Sequence, residues 1–384
     1  MPTGAGDQYW EVPGLPSVFK HDLLGRYLPR FAGKTGSRAE GVVYLDGYAG
    51  RGRYADGSPA SAERILQIAE KQRAAGINYR LFFCESNRDS YAVLAEVVAE
   101  YAARGVLAEA VPSEVISGLG QVVDAADKKP LFLFLDPCGL GIPFSVLTKT
   151  LTGRRAVKWP PTEVLLNFSL EAVRRIAGHV ASATPTETTM ARLDETLDGA
   201  WWRDLVQDGV TEEAVGEIAM GFVRRLERAV GMQVLSIPVR RAPTQKPIYF
   251  LVFGTRNPLG IWHFADDTAR ATETWWNTQD AREVAEQEAT GQSALVTAAA
   301  VLRPLLADVE AEAIPQIGEN IVRLLSRHGS FRVGDYPVQV FGEYLGRVRE
   351  IVVRAAIKDL HARGQTSSDG KGRRPADLRV NPPS

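Results

Sequence analysis

Short apolar runs alternate with helical patterns through the first 170 residues, and this alternation constrains the fold more than any other feature. Five apolar runs predict strands, at 41–46, 79–85, 106–111, 131–136 and 163–168. The segments between them predict helices, near 60–75, 88–104, 113–126 and 143–151. Near-continuous apolar character suits strands that are covered on both faces, as in a parallel sheet. The regular alternation therefore predicts an α/β fold with a doubly wound, mostly parallel sheet.

The pattern changes after Phe168. Residues 170–230 read as a helical insertion, and two β-rich runs at 232–239 and 247–254 flank a basic, proline-containing loop. Those two runs predict a long antiparallel hairpin at the edge of the sheet. A further helical segment is predicted from about 264 to 312.

These patterns divide the chain into five predicted parts. We expect an N-terminal extension at 1–16, a Rossmann-like domain at 17–280, a helical linker at 281–314, a winged-helix module at 315–364 and a flexible tail at 365–384. From Pro315 onward the chain has 12 Lys+Arg against 7 Asp+Glu, so its last part is basic. The alternative for this part is a helical cap with a frayed tail.

Composition sets broad limits on the protein. A chain with 45% hydrophobic and 24% charged residues is typical of a globular protein, and a net charge of −1 neither requires nor excludes a nucleic-acid partner. Cys84 and Cys138 are too few for a zinc-finger set or a disulfide framework. Both follow apolar runs, which predicts buried free thiols in a reducing compartment. The sequence shows no signal peptide and no membrane-spanning run, so a cytoplasmic location is expected.

A carboxylate and several glycines follow the first predicted strand, in the stretch YLDGYAGRGRYADGSP. A dinucleotide-binding loop has glycine where this strand ends on Asp46. The arrangement D-x-x-x-G-x-G is instead typical of class I methyltransferases, which bind S-adenosylmethionine (SAM). A carboxylate complements the cationic methionine end and sulfonium, and glycines allow close backbone approach. The predicted cofactor contacts here are Asp46, Gly47, Tyr48, Gly50 and Gly52.

Two further strand ends extend the predicted cofactor site. Glu85 ends the second strand, where an acid accepts both ribose hydroxyls of a nucleoside, in NAD enzymes as well as in SAM enzymes. The alternative is an acid stabilised by the dipole of the following helix. Ser113 follows the third strand, where an adenine ring would lie. Its alternative role is a simple helix cap.

The fourth and fifth strands supply the predicted reaction centre. Asp136 and Pro137 end the fourth strand, at the edge where open α/β sheets bind ligands. Asp-Pro at this point orients an acceptor amine in N-methyltransferases, where an aromatic residue often follows to stack a flipped base. Cys138 stands here instead, which weakens base recognition. Asn167 on the fifth strand is placed to hydrogen-bond a substrate. The alternative for Asp-Pro is a strand terminator.

Taken together, several motifs resemble the three-Cys-motif partner (TcmP) family, a bacterial group of methyltransferase-like proteins. The resemblance covers residues 17 to 280 and, more loosely, the chain to about 364. It rests on FKHDLLGRYL, YLDGYAGRGRYADGSPASA, FLDPCGLGIPF, EVLLNFSLEAVRR and YFLVFGTRNPLGIWHF. Tyr48 and Cys138 replace phenylalanines of the family pattern, and the loss of the second aromatic puts the substrate class in doubt.

The resemblance carries its own implications. It implies that Lys20 is a site residue, although spacing alone marks Lys20 as a surface lysine. It also implies that Gly57 and Ser58 belong to the cofactor loop. Finally, it implies a protein partner with a three-cysteine motif, in mobile-element or defence settings.

Three functions stay open at the level of the sequence. The first is SAM-dependent N-methylation of a nucleic acid or nucleoside, for which the arginine-rich segments would neutralise phosphates. The second is a SAM-binding scaffold without transfer activity. The third is a small-molecule N- or O-methyltransferase.

Overall fold

A seven-stranded mixed sheet forms the centre of the first part of the chain in the computed structural model, which describes residues 14–180, 187–242, 245–290 and 305–383. The strands of this sheet are β1 (Val42–Asp46), β2 (Tyr79–Cys84), β3 (Leu107–Val111), β4 (Leu131–Leu135), β5 (Thr162–Ser169), β6 (Gln233–Val239) and β7 (Tyr249–Thr255). Each matches a predicted run to within two residues.

The strand order is β3-β2-β1-β4-β5-β7-β6. The first five strands are parallel, and β7 is antiparallel to both β5 and β6. The predicted hairpin therefore lies at the sheet edge, with β6 outermost. Because β1 pairs with β2 on one side and with β4 on the other, the winding direction reverses between β1 and β4. Open α/β sheets bind ligands at such a reversal, beyond the carboxyl ends of the strands.

Helices cover both faces of this sheet or extend from it. They are α1 (Leu15–Thr35), α2 (Ser61–Arg73), α3 (Arg88–Ala103), α4 (Val115–Ala125), α5 (Phe144–Leu151), α6 (Leu170–Ala177), α7 (Glu187–Leu197) and α8 (Glu212–Val230). Local capping explains several boundaries. Asn87 accepts a hydrogen bond from the Ser90 amide at 2.9 Å at the start of α3, and Gly231, with φ 61°, ends α8.

Burial explains why the strands read as apolar runs. Every residue of β1 and of β4 is buried, so the sheet interior is covered from both sides. On one face the rings of Tyr44 and Phe132 stack with centroids 6.0 Å apart, and Phe31 of α1 meets Phe132 edge-on at 5.6 Å. On the other face the helical insertion packs, with Phe168 of β5 stacked on Phe222 of α8 at 4.7 Å.

The chain divides into two compact units. The first contains Leu28–Arg241 and Gln245–Arg256, and the second contains Leu15–Tyr27 and the residues from Asn257 onward. The second unit is built from α9 (Pro258–Thr290), α10 (Leu306–His328), β8 (Phe331–Arg332), α11 (Pro337–Phe341), α12 (Ile351–Ala362) and β9 (Arg379–Val380).

The second unit has its own apolar core. Trp262 of α9 is fully buried in it, packs against Phe341 of α11 at 4.9 Å and donates from its indole nitrogen to Glu350 at 2.5 Å. The structure thus places residues 257–280 with the C-terminal elements, whereas the sequence patterns assigned them to the Rossmann-like domain. The reason is Trp262: its contacts are tertiary, and no local pattern reports them.

The C-terminal segment differs from the predicted flexible tail. Residues 365–383 fold back onto the second unit, and β9 pairs with β8 in antiparallel fashion, with Phe331 opposite Val380. Thr366 and Val380 are buried, so this segment contributes to the core. Its high content of Ser, Gly, Pro and Arg reflects a tightly turned loop, which has the same composition as a frayed end. The predicted extension at 1–16 falls largely outside the described residues. The predicted helical linker at 281–314 is described at 281–290, where α9 ends, and at 305–314, where α10 begins.

Both cysteines were predicted to be buried, and this holds for only one of them. Cys84 is buried in β2, but Cys138 is exposed, because it lies in the loop after β4. Within the described parts of the chain, no helix combines the length and the apolar character needed to cross a membrane.

Candidate functional site

Three carboxylates lie at the carboxyl ends of neighbouring strands in the first unit, and we call this group the acidic edge: Asp46, Glu85 and Asp136. Asp46 is the last residue of β1 and lies in register with Phe83 of β2 and with Phe134 of β4. Glu85 and Asp136 each follow two residues beyond those register partners. Parallel register therefore brings the three acids to one edge of the sheet, at the reversal of strand order.

Asp46 is completely buried. Its Oδ1 accepts the Tyr48 amide at 3.1 Å, and its Oδ2 accepts the Ser61 hydroxyl at 3.4 Å. The first bond turns the chain sharply after β1, and the second ties that turn to the start of α2. Asp46 therefore shapes the loop and brings negative charge to its base.

Glu85 joins the tip of β2 to the glycine loop. Its Oε2 accepts the Gly50 amide at 2.9 Å, and its Oε1 accepts the Asn87 amide at 2.7 Å. Each carboxylate oxygen has two lone pairs, so each retains acceptor capacity beyond these bonds. The side chain is partly exposed. The structure therefore gives Glu85 a loop-holding role that the sequence pattern did not indicate, while a ribose contact stays a prediction.

Two glycines are required by packing in this loop. A Cβ on Gly47 would lie 2.7 Å from Cγ2 of Val115 and 2.9 Å from Cδ2 of Leu135, closer than any side chain tolerates. Gly52 has φ +77°, and a Cβ there would lie 3.1 Å from Cδ1 of Leu94. Gly50 also has positive φ, 62°. The backbone thus follows the sheet edge at a distance that only glycine permits.

The remainder of the loop is a tight turn. Tyr54 donates from its amide to the Ser58 carbonyl at 2.9 Å, and Gly57, with φ 82°, donates to the Tyr54 carbonyl at 3.0 Å. Asp56 accepts both the amide and the hydroxyl of Ser58, at 2.8 and 2.6 Å, and these hydrogen bonds lower the pKa of its carboxyl. The turn gives Gly57 and Ser58 a structural role, and their place in a cofactor loop stays a prediction.

Tyr48 and Ser113 flank the loop. Burial raises the pKa of the Tyr48 phenol above its usual value, and the nearby charges of Glu114 and Asp136 raise it further. The phenol therefore stays neutral and lies within reach of the acidic edge. Ser113 does not cap α4, whose N-cap residue is Glu114 without a side-chain hydrogen bond. Its hydroxyl donates instead to the Glu114 carbonyl at 3.2 Å, so the helix-cap alternative is wrong.

Asp136 and Asn167 form the pair at the predicted reaction centre. The amide Nδ2 of Asn167 donates to Oδ1 of Asp136 at 2.7 Å. Asn167 is 7% exposed, and its own Oδ1 is buried with no hydrogen-bond partner among the described residues. A carboxylate fixes which end of the amide faces it, because only Nδ2 can donate. The pair therefore leaves one buried acceptor for a donor from outside. Pro137, also predicted for this centre, is buried, and its role stays a prediction.

An apolar cavity adjoins Asn167. Its wall is made from the loop after β4, the end of β5 and the insertion helices α7 and α8, and it includes Leu140, Ile142, Leu166, Phe168, Leu193 and Phe222. No sequence pattern identified this cavity, because its walls come from segments more than 80 residues apart, from Leu140 to Phe222.

Tyr44 is a second feature that the sequence patterns missed. It lies two residues before Asp46 and so shares its face of β1. The ring is completely buried, its hydroxyl has no partner among the described residues, and burial together with Asp46 and Asp136 raises its pKa. A single aromatic residue in an apolar strand gives no local signal of such a position.

The remaining residues of interest are placed as follows. Burial and the charges of Asp46, Glu109 and Glu85 raise the pKa of the Cys84 thiol to about 12, so it is an inert core group. Lys20 is buried in the part of α1 that belongs to the second unit. Its role stays a prediction.

Strand order and orientation define the class of protein. The order 3-2-1-4-5-7-6 with an antiparallel seventh strand is the Rossmann-like class I methyltransferase fold, with the acidic edge at its ligand-binding end. This confirms the predicted fold.

Solved structures similar to this chain include three methyltransferases. Trm1 from Pyrococcus horikoshii, in complex with S-adenosyl-L-methionine, is 13% identical over 66% of this chain and 56% of its own, with a TM-score of 0.36. The plantazolicin methyltransferase BamL is 11% identical over 65% of this chain and 87% of its own, with a TM-score of 0.33.

Magnesium protoporphyrin IX methyltransferase (ChlM) from Synechocystis PCC 6803 is 13% identical over 63% of this chain and 83% of its own, with a TM-score of 0.33. This chain thus spans little more than half of the Pyrococcus protein. No protein-family model and no curated protein matches it. The strand order, rather than these distant likenesses, defines the class.

Proposed function

We propose that this protein is a SAM-dependent methyltransferase that methylates a nitrogen of a nucleic acid or nucleoside. The observation that carries the proposal is the acidic edge, which aligns Asp46, Glu85 and Asp136 on three adjoining strand ends. A dinucleotide with a pyrophosphate would be repelled by this charge, whereas a ligand with an ammonium and a sulfonium is attracted to it.

The residues present fit SAM. Gly47, Gly50 and Gly52 keep the backbone beside Asp46 free of side chains, which leaves room for a ligand at the loop. Asp46 at the base of the loop would face the cationic methionine part, and Glu85 retains acceptor capacity for ribose hydroxyls. When bound, SAM supplies an electrophilic methyl group on its sulfonium.

The Asp136–Asn167 pair orients the methyl acceptor. Nδ2 of Asn167 holds the Asp136 carboxylate at 2.7 Å, which fixes the direction of both side chains. The buried Oδ1 of Asn167 accepts an N–H of the acceptor amine, and Asp136 accepts a second one. Two such bonds aim the nitrogen lone pair and increase its electron density, and Asp136 is placed to take the proton that the amine must lose.

The apolar cavity beside Asn167 favours a second candidate, a small-molecule methyltransferase. The cavity, of about 20 Å³, has room for one water-sized group, so it suits a small apolar substituent beside the acceptor nitrogen. A third candidate is a SAM-binding scaffold without transfer activity. It is favoured by Cys138, which is exposed where an aromatic would stack a base. The resemblance to the TcmP family adds a protein partner with a three-cysteine motif to the proposal.

The test separates binding from transfer. Methyl-labelled SAM is incubated with the protein and with RNA, DNA or small-molecule fractions of a bacterial lysate, and SAM affinity is measured by calorimetry. Asp136→Ala is expected to lower transfer at least ~100-fold while the affinity for SAM changes by a few-fold at most. The matched control is Asp208→Ala, since Asp208 is an exposed acid in the same unit.

Each outcome selects among the candidates. Label in a nucleic-acid fraction supports the main proposal, and label in a small-molecule fraction supports the second candidate. Tight SAM binding without label in any fraction supports the scaffold. If SAM does not bind at all, or if Asp136→Ala loses binding and transfer equally, the assigned site is wrong.

A further inference from the structure

We propose that the second unit binds duplex DNA through α12 and the loop that follows it. The surface, which we call the basic face, consists of Lys358 on α12 and Arg373, Arg374 and Arg379 in the following segment. The proposal is independent of methyl transfer, because none of these residues belongs to the first unit.

The order of elements supports this interpretation. The second unit continues from α10 through β8, α11 and α12 to β9, with β8 and β9 paired. Helix, strand, two helices and a returning strand are the layout of a winged helix-turn-helix. In helix-turn-helix proteins the last helix enters the major groove of DNA. The predicted module at 315–364 lacks the returning strand, which lies in the segment expected to be a tail.

One side of α12 is anchored, so the other side is presented in a fixed orientation. Val352, Val353, Ala356, Ile357 and Leu360 are buried in the core of the second unit. The opposite side carries Lys358, which is exposed, and Ile351, which is 48% exposed. A helix held in this way has the width that the major groove of B-form DNA accommodates.

The loop after α12 packs along part of that side, at Arg354 and Lys358, and it leaves Lys358 and Ile351 exposed. Arg354 donates from Nη1 to the Gly370 carbonyl at 2.9 Å, and a Cβ on Gly370 would lie 3.2 Å from Cγ of Lys358. The ends of the loop are also joined, because Ser368 donates from its hydroxyl to the Arg379 carbonyl at 3.1 Å. Lys358 therefore adjoins the loop at Gly370, three residues before Arg373, and the Arg379 backbone adjoins the same loop at Ser368.

The charges of this surface are uncompensated. Between Glu350 and Arg379 the chain has four acids, and each is engaged by a group outside the basic face. Glu350 accepts from Trp262, while Asp359, Asp369 and Asp377 pair with Arg363, Lys371 and Arg332. The four cations of the basic face are exposed and have no carboxylate partner among the described residues. Exposed cations in fixed positions are what DNA phosphates require.

The polar surroundings add further phosphate contacts. A cavity between α12 and the loop is lined by His361, Ser367, Ser368, Asp369, Lys371 and Arg379, and Asp369 pairs with Lys371. The two hydroxyls and the Arg379 guanidinium are side chains of the kinds that contact phosphate oxygens.

The experiment measures fluorescence anisotropy of a labelled DNA duplex of about 24 bp with the full-length protein, at about 50 and about 200 mM salt. Four phosphate contacts predict a fall in affinity of roughly 100-fold between these concentrations. The variant Lys358→Ala/Arg373→Ala/Arg374→Ala is expected to bind at least ~10-fold more weakly at the lower salt, with a shallower salt dependence.

The control removes the same charge elsewhere. Lys128→Ala/Arg224→Ala/Arg228→Ala changes three exposed cations of the first unit and is expected to bind within about twofold of the unmodified protein. Thermal unfolding of both variants is measured to check that they keep the fold. The proposal is overturned if the protein does not bind the duplex at low salt, or if both variants lose affinity equally. It is also overturned if an A-form RNA duplex of the same sequence binds as tightly, because its narrow major groove excludes a helix.

Discussion

Asn167 donates from Nδ2 to Oδ1 of Asp136 at 2.7 Å, while its own Oδ1 is buried without a partner in the part of the chain that the structure describes. An unsatisfied buried acceptor costs about 1–3 kcal/mol. A folded protein carries such a cost most readily where a ligand removes it. The pair therefore links the geometry of two strand ends, β4 and β5, to the proposed recognition of an amine.

The contact between Asn167 and Asp136 can be tested by measuring the stability of an Asn167 variant as a function of pH. Asn167→Asp places a second carboxylate beside Asp136, and two carboxylates this close cannot both ionise, so one pKa rises in the folded state. A raised carboxyl pKa favours the folded protein at low pH, and that contribution is lost as pH rises through the folded pKa. The variant is therefore expected to lose stability relative to the unmodified protein between pH 5 and pH 8. The loss is about 1.4 kcal/mol for every tenfold weakening of that carboxylic acid on folding.

Urea denaturation at several pH values checks this expectation. Asn78→Asp, at an exposed position before β2, serves as the matched control and should show no such trend. A pH-independent difference for Asn167→Asp would mean that the two side chains separate in solution.

Glu85 is expected to support both the loop and the proposed cofactor. Glu85→Gln leaves only one acceptor oxygen for the amides of Gly50 and Asn87, and it presents an N–H₂ donor to the other. We expect a loss of about 1–3 kcal/mol in stability and at least ~10-fold in SAM affinity. Calorimetry and denaturation measure the two effects, with Glu109→Gln on exposed β3 as the control. Unchanged affinity together with lower stability would restrict Glu85 to the loop.

Gly47 is expected to tolerate no side chain. Gly47→Ala puts a Cβ within 2.9 Å of both Val115 and Leu135, so the core must shift, at a cost of about 1–3 kcal/mol. Gly120→Ala in α4 is the matched control, because no atom lies within 4 Å of its Cβ position. That substitution should stabilise the helix by about 0.5–1 kcal/mol. Equal urea midpoints for the two variants would contradict the packing described for the loop.

Glu212 is expected to make stability depend on pH in the acid range. The hydrogen bond from Arg174, with a further one from Lys246, lowers the pKa of Glu212 to about 2. Its contribution is present above the unfolded value of 4.5 and is lost as pH falls toward 2. The melting temperature of Glu212→Gln should therefore lie below that of the unmodified protein at pH 7 and converge with it at acid pH. Because the pair is partly exposed, salt should reduce the difference. A difference in melting temperature that persists at pH 2 would mean that the packing of the Glu212 side chain, and not its charge, stabilises the protein.

The sequence was sufficient to predict the strands of the first unit, because strands buried on both faces consist of continuous runs of apolar residues. β1, β2 and β4 lie within two residues of their predicted bounds for this reason. The acids Asp46, Glu85 and Asp136 were also predictable as neighbours, since parallel strands bring their carboxyl ends to one edge. Positive φ at Gly50, Gly52 and Gly57 agrees with the glycines that marked the loop.

Only the tertiary structure decided the hydrogen bonds of Glu85, the unpaired oxygen of Asn167 and the cavity beside it. These features depend on segments distant in sequence, and local patterns do not encode which of them meet. The same holds for Trp262, which assigns α9 to the second unit, and for Val380, which turns the presumed tail into a paired strand. Local propensity determines what a segment becomes, whereas burial against a remote partner determines where it belongs.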